Sequence, residues 1–146
     1  MKSYQIRSAL AGAALSLSLF AGVPAFADTV GYKADLLSAS EVPANDSKGT
    51  GAVVASYDTA SKKLSWTVTY KDLSGAATAA HFHGPAAVGA NAGPVVPLTG
   101  DMASPMKGEA MLTDAQADDL KAGKWYFNVH TAAHAGGELR GQVVAK

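Results

Sequence analysis

Between Leu64 and Tyr70 every second residue is large and apolar (Leu64, Trp66, Val68, Tyr70), and the residues between them are Ser65, Thr67 and Thr69. A helix, whose side chains turn by about 100° per residue, cannot sort such a pattern into an inner and an outer face, whereas a half-buried strand does so automatically. Similar short runs occur at Tyr32 to Leu37, Ala52 to Tyr57, Thr78 to His83, Val95 to Leu98, Gly108 to Leu112, Lys124 to Thr131 and Glu138 to Val144. Turn-rich segments separate most of them, among them Asn45 to Gly49, Gly84-Pro85, Asn91 to Pro94 and Gly136-Gly137. About eight short strands with regular turn signals predict an all-β, antiparallel sandwich or barrel. One segment departs from the pattern: Thr113 and Gln116 have the spacing of a capping box, Ala115 to Leu120 follow, and Gly123 supplies a stop. The expectation is one short helix near residues 114–122.

The N-terminus reads differently. Lys2 and Arg7 precede an apolar stretch from Ala9 to Val23 that breaks at Pro24 and ends in Ala25-Phe26-Ala27. A basic start, a short apolar run and a small-x-small ending form a secretory signal, so residues 1–27 are expected to be cleaved and Asp28 to open a single domain over 28–146. The run is shorter than the ~20 residues that cross a bilayer, and no membrane span is expected after cleavage. Export places the protein in the periplasm or outside the cell. Loss of Lys2 and Arg7 leaves 10 basic against 12 acidic residues. With no basic stripe to neutralise phosphates, nucleic acid is not an expected partner. The chain has no cysteine, so a metal site would have to be built without thiolate, from imidazole and oxygen ligands.

All four histidines fall in two motifs. His81 and His83 flank Phe82 and, on a strand, share one face with backbones roughly 6.6 Å apart, near enough for both imidazoles to converge on one ion. His130 closes the run Trp125 to Val129, on the same face as Tyr126 and Asn128, and the small-residue turn Ala132 to Gly137 suits a fold-back of His134 toward it. His81, His83, His130 and His134 are therefore the candidate ligands, and imidazole-rich sites suit copper or zinc. Histidines held only by hydrogen bonds are the competing reading. Glu138 and Arg140 lie two apart, which on a strand makes an ion pair; alternatively Glu138 stands behind the ligands and accepts an imidazole N–H. No Ser-His-Asp order, phosphate-binding loop or dinucleotide fingerprint stands out, and binding is expected rather than catalysis.

Taken together, Leu37-Ser38-Ala39-Ser40-Glu41-Val42-Pro43, Ala80-His81-Phe82-His83-Gly84-Pro85-Ala86, Gly93-Pro94-Val95-Val96, Gly123 to Thr131 and Gly137-Glu138-Leu139-Arg140-Gly141-Gln142 resemble the CHRD domain, the module named after chordin and found alone in exported bacterial proteins. The resemblance runs from about Tyr32 to Val144. It implies an immunoglobulin-like Greek-key sandwich. In chordin such domains belong to a secreted antagonist of growth factors, but this chain lacks the cysteine-rich repeats that bind them there. His81-x-His83 at a strand end is also similar to the copper-ligand strand of Cu/Zn superoxide dismutase, although the dismutase disulfide has no counterpart and four histidines are too few for its second metal.

The leading expectation is an extracytoplasmic binding protein with one mononuclear histidine site, copper favoured over zinc. A structural or interaction module of the cell envelope without metal, partnered by an envelope or extracellular protein, is the alternative. Redox activity of the dismutase type is a third.

Overall fold

The strands expected from the alternating runs are present with slightly different ends. A computed structural model describes residues 28–146; the expected export signal, residues 1–27, lies outside them. Nine strands follow in the order β1 (Thr29–Leu37), β2 (Thr50–Asp58), β3 (Lys63–Lys71), β4 (Ala77–His83), β5 (Pro94–Pro97), β6 (Met106–Met111), β7 (Tyr126–Thr131), β8 (Leu139–Gln142) and β9 (Val144–Ala145). The run Glu138 to Val144 is split in two because Val143 turns inward and its N–H donates to the Trp125 carbonyl instead of a neighbouring strand. Helix α1 (Asp114–Lys121) lies between β6 and β7. Its capping box is formed as expected: Thr113 Oγ1 accepts from the Gln116 N–H at 3.2 Å and Gln116 Oε1 accepts from the Thr113 N–H at 2.9 Å. Gly123, at φ 68°, ends it in a conformation that other residues resist.

All strand pairs are antiparallel and belong to one sheet, ordered β5-β4-β7-β8-β1-β2-β3-β6 with β9 on β1. Such a sheet must curl to bury its apolar face. Trp66 of β3 and Phe82 of β4 stand next to opposite ends of this order, yet their rings meet edge to face at 5.2 Å. The sheet is thus nearly closed, barrel-like, around a core that includes Tyr32, Leu36, Val53, Leu64, Val68, Phe127 and Leu139. Leu120 of α1 is buried with them. Among the described residues no helix is long and apolar enough to cross a membrane.

Strand β7 is the exception to half-burial. Tyr126, Phe127, Asn128 and Val129 are all buried. Phe127 and Val129 face the core, so the outward side, which carries Tyr126, Asn128 and His130, is covered by something outside the sheet. That cover is the loop between β4 and β5.

Candidate metal centre

Register places the outward residues of three strands in rows. His83 pairs with Tyr126 and Tyr126 with Gln142; His81 pairs with Asn128 and Asn128 with Arg140; Ala79 pairs with His130. Alternation on β4 sends Ala80 and Phe82 into the core and leaves His81 and His83 outside, and the same rule on β7 presents His130 beside them. The three imidazoles consequently surround the Asn128 side chain. One ring nitrogen from each of His81, His83 and His130 lies within 4.8 Å of the others.

Backbone carbonyls orient two of these rings. His83 Nδ1–H donates to the Ala92 carbonyl at 2.9 Å, and His130 Nδ1–H donates to the Ala135 carbonyl at 2.9 Å. A neutral imidazole that donates through Nδ1 has its lone pair on Nε2, and both Nε2 atoms lie 2.9 Å from Asn128 Oδ1. His81 Nδ1 is 3.1 Å from His130 Nε2. Burial, followed by its neighbours His130 and His83, holds His81 below the usual histidine value. Burial does the same to His130, against the opposing Ala135 hydrogen bond. At neutral pH these rings offer lone pairs, the form in which imidazole binds a metal.

The cover is held down by side chains of the same face. His83 is 8% exposed and stacks on the Tyr126 ring at 4.7 Å with 4° between planes. The Tyr126 hydroxyl donates to the Ala92 carbonyl at 3.1 Å. Arg140 lies with its guanidinium carbon 3.5 Å from the Tyr126 ring centre and donates to Asn91 Oδ1 at 2.7 Å and to the Ala90 carbonyl at 2.5 Å. Such stacking suits a planar guanidinium.

Two expectations change in detail. His134 is not among the nitrogens within 4.8 Å: the Thr131 and His134 backbones bond each other, and this turn brings the Ala135 carbonyl, not the His134 ring, to His130. Glu138 contacts neither Arg140 nor an imidazole. It precedes β8, after Gly137 at φ 132°, so strand alternation does not set its direction. It is fully buried in a cage of donors: Ser47 Oγ at 2.6 Å, the Ser74 N–H at 2.7 Å, Ser74 Oγ at 2.6 Å and Thr131 Oγ1 at 2.5 Å. Burial raises its pKa, but the hydroxyls of Ser47, Ser74 and Thr131 outweigh that and bring it down to about 2. The roles foreseen for Glu138 fall to Ala92, Ala135 and Asn128 near the rings, and to Asn91 and Ala90 near Arg140.

Sequence reading also passed over Glu41. It is 6% exposed, and its Oε1 is buried without a hydrogen-bond partner. Burial raises its pKa, while Arg140, the Val42 N–H, Asn128 and His134 pull the other way. Nothing in its local sequence signals this position, because its neighbours in space are supplied by residues 128–140.

These features define a small barrel-like β domain that carries three converging histidines on a covered outer face. The chain belongs to the CHRD domain family, whose model matches residues 32–143. No characterised protein and no solved structure shows significant similarity to it. The three imidazoles are chemically suited to hold a metal ion: all are nitrogen donors, and two of them are fixed by carbonyls.

Proposed function

We propose that this is an exported metal-binding protein whose ion is held by His81, His83 and His130, with copper favoured over zinc. The observation that carries the reading is the convergence of three ring nitrogens within 4.8 Å when two of those rings already spend Nδ1 on backbone carbonyls. That pre-orientation leaves both Nε2 atoms as acceptors, open to a cation or, at His130, to the Nδ1–H of His81 3.1 Å away. Copper follows from the order of divalent affinities at nitrogen sites. His134 sits outside this arrangement, partly buried in the adjoining turn. The immunoglobulin-like Greek-key grouping expected of the family belongs to the same proposal, supported by the β3-to-β4 and β6-to-β7 connections, each of which joins strands that are not neighbours in the sheet.

Metal analysis of protein recovered from outside the cytoplasm tests the reading: about one copper per chain is expected. A protein that stays metal-free there and takes up neither copper nor zinc on titration would overturn it. In the same sample, mass spectrometry should find the chain starting at Asp28; a product retaining Met1 or Lys2 would refute export by cleavage.

The affinity should also depend on pH in a particular sense. Because His81 and His130 are held below the ordinary histidine value of 6.5, protons compete poorly at pH 6.5. Copper affinity should be flat from pH 8 to about 6.5 and fall only below it. Titrations in buffered chelator across that range check this. A loss already complete by pH 7 would show that the rings protonate more easily than their burial implies.

A further inference from the structure

Asn128 presents a puzzle of unmatched lone pairs. His83 Nε2 and His130 Nε2 each carry a lone pair when Nδ1 holds the proton, and both face Asn128 Oδ1, which is also only an acceptor, at 2.9 Å. Turning the carboxamide over would place its NH₂ group against both nitrogens and satisfy them. The other side of the amide decides against it. Asn128 Nδ2 and Glu41 Oε1 both crowd the point where a side chain on Gly137 would begin, so the amide nitrogen lies on the side of a buried carboxyl oxygen that has no other partner. A carboxylate only accepts, so it draws the NH₂ group to its own side and leaves the oxygen on the histidines. Asn128 is 3% exposed, so water cannot readily repair a reversed amide. With His81 in its Nε2–H tautomer, three imidazole nitrogens and one amide oxygen then face one another with no hydrogen between them.

We propose that Asn128 Oδ1 is the fourth ligand of the metal ion, and that Glu41 is a positioning residue that keeps this oxygen turned toward it. The assignment rests on the three-histidine reading above. An amide oxygen adds an uncharged, hard donor to three imidazoles. Glu41 acts through orientation: its oxygens only accept, whereas a neutral amide in its place can also present a donor to Asn128, which lets the carboxamide reverse and its NH₂ group cap the two Nε2 lone pairs that the ion needs.

The test is a double-mutant cycle read by competitive copper titration at neutral pH, with the copper electron paramagnetic resonance spectrum and metal-free circular dichroism recorded for each protein. Asn128→Leu should weaken copper binding by about 10- to 100-fold and change the spectrum, since an oxygen leaves the ion. Glu41→Gln should weaken binding about tenfold with the fold intact. In the Asn128→Asp background both atoms facing the histidines and Gly137 are oxygens, so reversal has no meaning there. Glu41→Gln should then cost nothing, or improve binding by removing a neighbouring negative charge. An equal loss from Glu41→Gln in both backgrounds would overturn the positioning role, and a copper spectrum unchanged in Asn128→Leu would overturn the ligand role. If Glu41→Gln fails to fold alone, the spectrum of Asn128→Asp decides the ligand role: it must shift toward an added anionic oxygen, and an unshifted spectrum sinks it. Wild-type protein that binds no copper removes the three-histidine reading itself, a result none of these variants can imitate.

Discussion

Copper at a free concentration one hundred times its Kd should raise the melting temperature of the wild-type protein by roughly 10 °C. A ligand that binds only the native state adds about 2.7 kcal/mol under that condition, and a domain of this size moves by about 4 °C per kcal/mol. His81→Ala should remove most of this rise and leave the metal-free protein nearly as stable as before, because His81 is only partly buried and neither ring nitrogen is bonded to the backbone. His83→Ala behaves differently. It also removes the bond to the Ala92 carbonyl and the stack on Tyr126, so the metal-free protein should itself lose about 1 to 2 kcal/mol. Differential scanning calorimetry with and without copper checks both. Wild-type melting that ignores copper and zinc, together with a His81→Ala variant destabilised without metal, would indicate that the histidines serve only the fold.

Replacing Glu138 should have the largest effect on stability of any single polar substitution in the chain. Glu138→Gln should cost about 3 kcal/mol, since its NH₂ group would oppose donors from Ser47, Ser74 and Thr131 that now converge on a carboxylate. The pH dependence has a definite sign. The folded pKa of about 2 lies below the ordinary value of 4.5, so the folded state favours the ionised form. The contribution is complete above about pH 4.5 and is lost as pH falls from there toward 2. Between those limits it amounts to about 3 kcal/mol at 1.36 kcal/mol per unit. Urea unfolding of wild type and Glu138→Gln at pH 6 and pH 3 tests this: the gap between the two proteins should be wide at pH 6 and much narrower at pH 3. A gap that stays constant would assign the loss to packing.

The contrast between the histidines and Glu138 shows how far the sequence could be read. Alternation located the strands, because every second residue of β3 must enter the core, and it put His81 and His83 on one face with Phe82 opposed. It also aligned Tyr126, Asn128 and His130. The same rule failed for Glu138, which precedes β8 and follows a glycine at φ 132°, so the two-residue spacing to Arg140 carried no common face. His134 failed for a related reason: a four-residue spacing fixes nearness along the chain, but the turn delivered the Ala135 carbonyl. Glu41 and Asn128 were illegible as partners because 87 residues separate them and no periodicity encodes where a loop lands. Burial on both sides of β7 was the available hint, as Asn128 lies between large residues on a strand dense in aromatic side chains.

The loop that covers β7 also sets how the centre can exchange its contents. Ala92 orients His83, and Ala90 and Asn91 are fastened by the guanidinium of Arg140, which rests on Tyr126. Lifting this loop frees the His83 ring from the carbonyl that aims it. For the ion proposed above, retention then depends on the hold of Arg140 on the loop as well as on the ligand bonds themselves.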